Sequence, residues 1–327
     1  MRPPAFWSAP KAGVLSGLLT PLSWLWRAGG AARRARITPF RPDIPVLCVG
    51  NAVLGGAGKT PVALSLAEAL IQDGHRPHFL TRGYGGSAQG PHAVDLETDT
   101  AATVGDEALL LARTAPVWVA KDRAQGARAA QAAGASHIVM DDGFQNPGVA
   151  KTVSILVVDA QSGFGNGRIF PAGPLREPAA AALDRAGIVV VMGPFDAPVP
   201  PGIDAAGKAV VRASVVAAAP PLPPGTPCLA FAGIGRPEKF FATAEAIGLK
   251  LLRRRAFPDH HPYSEEDLRR LIQDARSRGA RLITTEKDAV RVPPRYADDV
   301  TALPIVLEWQ GGRSLYSVLK SVCPDVV

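Results

Sequence analysis

The sequence predicts a doubly wound, parallel α/β sheet joined to a second, smaller α/β unit, with an amphipathic helix ahead of both. Three observations predict it. From Ile44 onward, apolar runs of strand length alternate with helical patterns. A glycine-rich loop separates the first run from its helix. A proline-rich stretch, AAAPPLPPGTP at 217–227, can continue neither element, and the alternation restarts after it. The chain thus divides into an arm (1–42), a first domain (43–216), a stiff linker (217–227) and a smaller domain (228–327).

The arm comes first in the chain and carries the charge. The 327 residues hold 36 Lys+Arg and 29 Asp+Glu, a formal +7. Arg2, Lys11, Arg27, Arg33, Arg34, Arg36 and Arg41 fall within residues 1–42, where no acid stands, so the remaining chain is neutral. A nucleic-acid binder spreads basic residues over a folded face, and a neutral body argues against that class. Between Lys11 and Arg27 lie uncharged residues that would span about 22 Å as a helix, short of the ~30 Å hydrocarbon core. Thr20-Pro21 reads as a cap followed by a first-turn proline, which predicts two short helices. Val14, Leu15, Leu18, Leu19, Leu22, Leu25 and Trp26 would share one face, and the flanking tryptophans and arginines suit a lipid headgroup boundary. The arm therefore reads as lying on an anionic membrane surface. Packing of the leucine face on the body, or a cleaved leader, are the competing readings.

The body begins with a buried strand at 45–49, the glycine loop and a helix near 60–72. Strands at 77–80, 117–120, 138–140, 153–158 and 188–192 follow, with helices near 107–113 and 123–133. After the linker come strands at 228–232, 282–284 and 304–307 and helices at 237–247, 264–278 and 314–322. Cys48, Cys228 and Cys323 are far apart and show no ligand spacing, which argues against a disulfide framework or structural zinc and suits a reducing cytosol.

The loop after the first strand reads Gly55-Gly56-Ala57-Gly58-Lys59-Thr60. In a P-loop, backbone N–H groups wrap the phosphates of ATP, the lysine reaches the β/γ-phosphates and the hydroxyl ligates Mg²⁺. The strict pattern fails at its first glycine, where Val53 stands, but strand before and helix after make a P-loop NTPase-like nucleotide site. The magnesium shell needs a strand-end acid. Asp141 and Asp142 close an apolar run, and their mutual repulsion calls for a cation between them.

Four further segments hold chemistry-bearing residues. Arg82 and Tyr84 stand in a glycine turn, Asp106 opens a helix, and Arg176-Glu177 lies in a proline-rigid loop. Asp259-His260-His261 makes an irregular segment half titratable. Adjacent histidines rarely ligate one ion together, so an acid–base role for one of them, with a carboxylate from the other domain, is the simpler chemistry.

In order along residues 50–290, GNAVLGGAGKTP, TRGYGG, GDEALL, DDGFQ, PAGPLREP, FPDHHPY and TTEKDAV resemble the tetraacyldisaccharide 4′-kinase family. The missing first glycine matches that family's own loop. The resemblance implies two α/β/α domains with the active site between them. It implies transfer of the γ-phosphate of ATP, with Mg²⁺, to the 4′-hydroxyl of a tetraacylated disaccharide 1-phosphate, an anionic glycolipid, giving lipid IVA at the cytosolic face of the bacterial inner membrane. It places the nucleotide lysine and threonine at Lys59 and Thr60. The acids fall at Asp141, Asp142 and Glu177, and an aspartate–histidine dyad on Asp106 and either His260 or His261, with His260 preferred. Arg82, Tyr84, Arg123 and Arg176 are candidates to grip the substrate, and the protein is expected to act as a monomer. The rival classes are a membrane-bound P-loop ATPase switch, disfavoured by Leu54 where such switches carry lysine, and a soluble kinase for a small polar substrate.

Overall fold

The computed structural model describes residues 4–8 and 13–327, so Arg2 and Lys11 of the basic arm lie outside the described residues. The strands are β1 (Val46–Gly50), β2 (Pro77–Thr81), β3 (His92–Ala93), β4 (Val117–Val119), β5 (His137–Asp141), β6 (Val153–Asp159), β7 (Ile188–Met192) and β8 (Ala209–Ala217). They continue with β9 (Pro227–Ala232), β10 (Lys250–Ala256), β11 (Arg281–Thr285), β12 (Val300–Leu303) and β13 (Ile305–Trp309). Nine form one sheet in the order β13-β8-β7-β6-β1-β5-β2-β4-β3, and four form a second in the order β10-β9-β11-β12.

The larger sheet is parallel from β8 to β4, with antiparallel strands only at its edges. Its central strands are apolar throughout because both faces are covered. On one face Leu47, Val49 and Val139 pack with Leu66 and Leu70 of the helix Lys59–Gln72. On the other, Cys48, Met140 and Leu156 pack with Phe144, Leu175 and Leu183. Parallel strands bring the ends of β1, β2, β5 and β6 to one edge, where ligands of such sheets bind.

The smaller sheet is wholly parallel, with Phe240 and Phe241 packed on one face and Tyr263, Leu268 and Leu271 on the other. Its start is clamped to the larger sheet. Asp159, at the end of β6, accepts from Arg236 Nη1 and Lys239 Nζ, both at 2.8 Å. Burial alone would raise the Asp159 carboxyl, but these partners and the Ser162 N–H hold it well below the usual carboxylate range.

Two sequence expectations need correction. Residues 305–327 do not stay with the smaller unit. β13 pairs antiparallel with β8, and Leu315, Val318 and Leu319 of the following helix join the core cluster of Leu66 and Leu70. The return covers an edge of β8 that would otherwise expose unpaired backbone. β3, β8, β10 and β12 escaped the sequence reading.

The arm forms one helix, Val14–Ala35, rather than two. Thr20 does not cap a second helix. Its hydroxyl turns back to the Ser16 carbonyl at 3.0 Å, and the helix runs on through Pro21 with one hydrogen bond lost. Serines on either side of the proline fasten it to the body: Ser16 Oγ donates to Ala172 O and Ser23 Oγ to Ile169 O, each at 2.7 Å. The small polar face is therefore turned inward. Val14, Leu18 and Leu25 are 84%, 73% and 70% exposed, so the leucine face does not pack on the protein. Among the described residues no helix is long and apolar enough to cross a membrane.

Candidate active site

The phosphate loop leaves β1 at Gly50, which lies against the loop after β5. A Cβ on Gly50 would stand 2.5 Å from Phe144 Cβ, so only glycine permits the approach that brings Asp141 and Asp142 beside the loop. Thr60 Oγ1 donates to Asp141 Oδ2 at 3.0 Å, and Lys59 Nζ is 3.8 Å from Asp142 Oδ1. Val53, the residue that breaks the strict motif, forms an antiparallel bridge with Leu175. Leu54 N donates to Pro174 O at 2.7 Å and Arg176 N to Ala52 O at 2.8 Å. The proline-rigid segment is thus strapped along the nucleotide loop, and Val53 serves the strap.

Arg176 grips Asp142 with both terminal nitrogens, at 2.9 and 3.3 Å. Burial would raise the Asp142 carboxyl, but Lys59 and Arg176 outweigh it and hold it low. Lys59 and the Thr60 hydroxyl act to lower Asp141 as well, but there they are outweighed. Burial and the nearby charge of Glu107 push it up to about 7, and its Oδ1 is buried without a hydrogen-bond partner. An orphaned carboxylate oxygen beside a threonine hydroxyl and a second carboxylate is a donor set that fits a hard, oxygen-seeking cation such as Mg²⁺.

Glu177 departs from the expected metal set. It is 3% exposed and accepts both Arg185 Nη2 bonds, at 2.7 and 2.8 Å, so its charge is already neutralised. Gln145 Nε2 connects it at 3.0 Å to the loop and also donates to Asn51 O at 2.8 Å. Gln145 and Arg185 were missed in the sequence because nothing in their spacing marks them as partners of this acid.

Across the cleft, His260 of the smaller unit meets Asp106. His260 Nδ1 lies 2.9 Å from Asp106 Oδ2 and 3.1 Å from Oδ1. Asp106 is 3% exposed; burial would raise it, but the His260 hydrogen bond and the charges of Lys287 and Arg291 keep it below the usual range. An ionised Asp106 can only accept, which makes Nδ1 the protonated ring nitrogen. His261 goes elsewhere, with Nε2 3.2 Å from Asp267 Oδ2 and its ring stacked on Phe257. His260 (φ 58°) and Asp142 (φ 54°) are the only non-glycine residues at positive φ among those described, and both lie in this site.

The remaining candidates divide. Tyr84 is exposed, with its ring centroid 5.3 Å from that of His260, and Arg82 beside it is exposed as well. Arg123 is buried and bonded to the Ala120 carbonyl, and burial with the nearby Arg82 charge pushes it down to about 10. Lys287, 3.0 Å from Glu107 Oε1, also lines the dyad.

A family model described as tetraacyldisaccharide-1-P 4′-kinase matches residues 15–323. The chain belongs to this family. The tetraacyldisaccharide 4′-kinase of Rhodospirillum centenum is 49% identical over 324 residues, covering 98% of this chain and 96% of its own. That of Parvibaculum lavamentivorans is 54% identical over 298 residues, covering 89% and 87%. The crystal structure of LpxK from Aquifex aeolicus, described as an "apo" form in complex with ATP, superposes with a TM-score of 0.74 at 24% identity. It covers 94% of this chain and 99% of that one, and shows the same fold. The chain is an ATP-dependent kinase of lipid A biosynthesis.

The charge balance of this kinase site can be checked without turnover. Because folding raises the Asp141 carboxyl, its ionised form opposes folding, and stability falls as pH rises from about 4 through about 7. Asp141→Asn is expected to stabilise the protein in chelator at pH 8, by on the order of 1–3 kcal/mol. The gain should vanish near pH 4, as read by thermal unfolding.

Proposed function

We propose that this kinase transfers the γ-phosphoryl group of ATP to the 4′-hydroxyl of a tetraacyldisaccharide 1-phosphate in the cleft between its two sheets, with Asp106 as the base. The observation that carries this reading is the Asp106–His260 contact, which joins the two units at the edge where the phosphate loop opens. Loop amides and Lys59 hold the phosphates and neutralise charge on the transferring group. Thr60, Asp141 and Asp142 would hold Mg²⁺, which would supply further neutralisation of phosphate charge. Glu177 acts at one remove, through Gln145.

Asp106 accepts the proton of the sugar hydroxyl as the phosphoryl group leaves ADP. Its low proton affinity suits a loose transition state, in which the hydroxyl needs alignment and a late proton acceptor more than a strong base. His260 fixes the carboxylate and compensates its charge. Arg82 and Tyr84, exposed beside the dyad, meet the sugar. Arg176 serves Asp142 instead, and Arg123 is buried against the Ala120 carbonyl.

The lipid end of the substrate calls for a membrane surface, and the helix Val14–Ala35 offers one. Its leucine face is exposed and its last turn carries Arg33 and Arg34. It lies on the cytoplasmic face of the inner membrane, apolar side down and cations among anionic headgroups.

γ-Labelled ATP with the lipid disaccharide in mixed micelles should yield labelled lipid; free labelled phosphate alone would point to an ATPase switch. Asp106→Ala is expected to lower kcat by roughly 10²–10⁴-fold with the KM for ATP little changed. Unaltered turnover would remove Asp106 as the base. Leu18→Asp with Leu25→Asp is expected to abolish sedimentation with vesicles containing anionic lipid while leaving nucleotide affinity intact.

A further inference from the structure

The segment Thr285-Glu286-Lys287-Asp288, with Arg291 after it, touches no reacting group in the transfer as described, yet it contains the most deeply buried ion pair of the smaller unit. Asp288 is 0% exposed and the Arg291 side chain 4%. Asp288 Oδ1 accepts from Gly233 N at 2.8 Å, from the Tyr263 hydroxyl at 2.7 Å and from Arg291 Nη2. Its Oδ2 accepts from Thr285 Oγ1 at 2.5 Å. Four donors on one carboxylate exceed what capping a four-residue helix requires.

Those donors converge on the turn that carries His260. Gly233 O accepts from His260 N at 3.0 Å and from Arg291 Nη2 at 3.0 Å, and Arg291 Nη1 donates to His261 O at 3.1 Å. Both ends of the turn are therefore tied to one guanidinium. Gly233 itself is hemmed in: a Cβ there would stand 2.9 Å from the Tyr263 hydroxyl and 3.0 Å from Pro258 O. The third nitrogen, Arg291 Nε, is buried without a hydrogen-bond partner and stands 3.6 Å from Asp106 Oδ2. A left-handed backbone at a non-glycine residue such as His260 is unfavourable and persists only where the surroundings over-determine it.

We propose that Asp288 and Arg291 are positioning residues for phosphoryl transfer: Asp288 fixes Arg291, and Arg291 holds the His260 turn in its left-handed conformation while facing the Asp106 carboxylate. The proposal rests on Asp106 and His260 being the working dyad. A lysine at 291 would keep the charge and lose the fork that spans Gly233, His261 and Asp106.

The test is a double-mutant cycle. Arg291→Lys is expected to lower kcat at least tenfold with the KM for ATP within twofold. In a His260→Ala background the same substitution should cost less than twofold, because the turn then has nothing to position. Equal losses in both backgrounds would overturn the proposal. Wild-type turnover by His260→Ala would instead sink the dyad, a separate failure.

Tyr263→Phe gives a second route should Arg291→Lys fail to fold. It keeps the ring packed on Phe231 and Phe257, at 5.1 and 5.2 Å, and removes one donor from Asp288. The imidazole ¹⁵N resonances of His260, assigned by their loss in His260→Asn, should shift in Tyr263→Phe. Unshifted resonances with a tenfold loss of kcat would assign the residue a structural part only.

Discussion

A carboxylate as buried as Asp106 stays ionised only where positive charge and hydrogen-bond donors surround it, and those come from across the cleft. His260, Lys287 and Arg291 all belong to the smaller unit, whereas Asp106 opens a helix of the larger one. The proposed base is thus oriented and charge-compensated only when the two units meet. On the opposite side of the larger sheet's edge, Asp159 binds Arg236 and Lys239 and sets where the smaller sheet can sit. The return of β13 to β8 adds a third connection, so the smaller unit is tethered at both of its chain ends.

The same economy of contacts links the amphipathic helix to the nucleotide loop. Ser16 and Ser23 hold carbonyls of residues 172 and 169, and Trp26 Nε1 donates to Arg176 O at 3.3 Å. That segment also lies along Val53 and Leu54 and delivers Arg176 to Asp142. A helix suited to a lipid surface is therefore fastened to the strap of the phosphate loop rather than hung from a flexible tether. On the proposed reading, the glycolipid and ATP would be brought to one rigid neighbourhood, which favours in-line geometry over binding strength alone.

Much of this was legible in the sequence. Strands such as VLCVG and IVVVM are apolar without alternation, which marks a sheet covered on both faces, and the seven motifs named the family in order. What escaped depended on contacts distant in sequence. β8 and β10 carry arginines that interrupt the apolar pattern, and β13 was legible as a strand but not as a partner of β8. The single helix through Pro21 escaped because two serines, ordinary in sequence, dock on carbonyls about 150 residues away. Glu177 was placed with the metal ligands by the resemblance alone; Arg185, which neutralises it, lies at the end of the next helix with no motif of its own. His260 and His261 were equivalent as letters; the turn at φ 58° separates them.

The central claim is that Asp106, oriented by His260, takes the proton of the sugar hydroxyl. A crystal structure of the wild-type chain with a non-hydrolysable ATP analogue and the lipid disaccharide tests it most directly. The account predicts the 4′-hydroxyl oxygen within hydrogen-bond reach of an Asp106 carboxylate oxygen, about 2.6–3.2 Å, and in line with the γ-phosphorus. A hydroxyl that instead meets another side chain, with Asp106 still closed on His260 and out of reach, would contradict it.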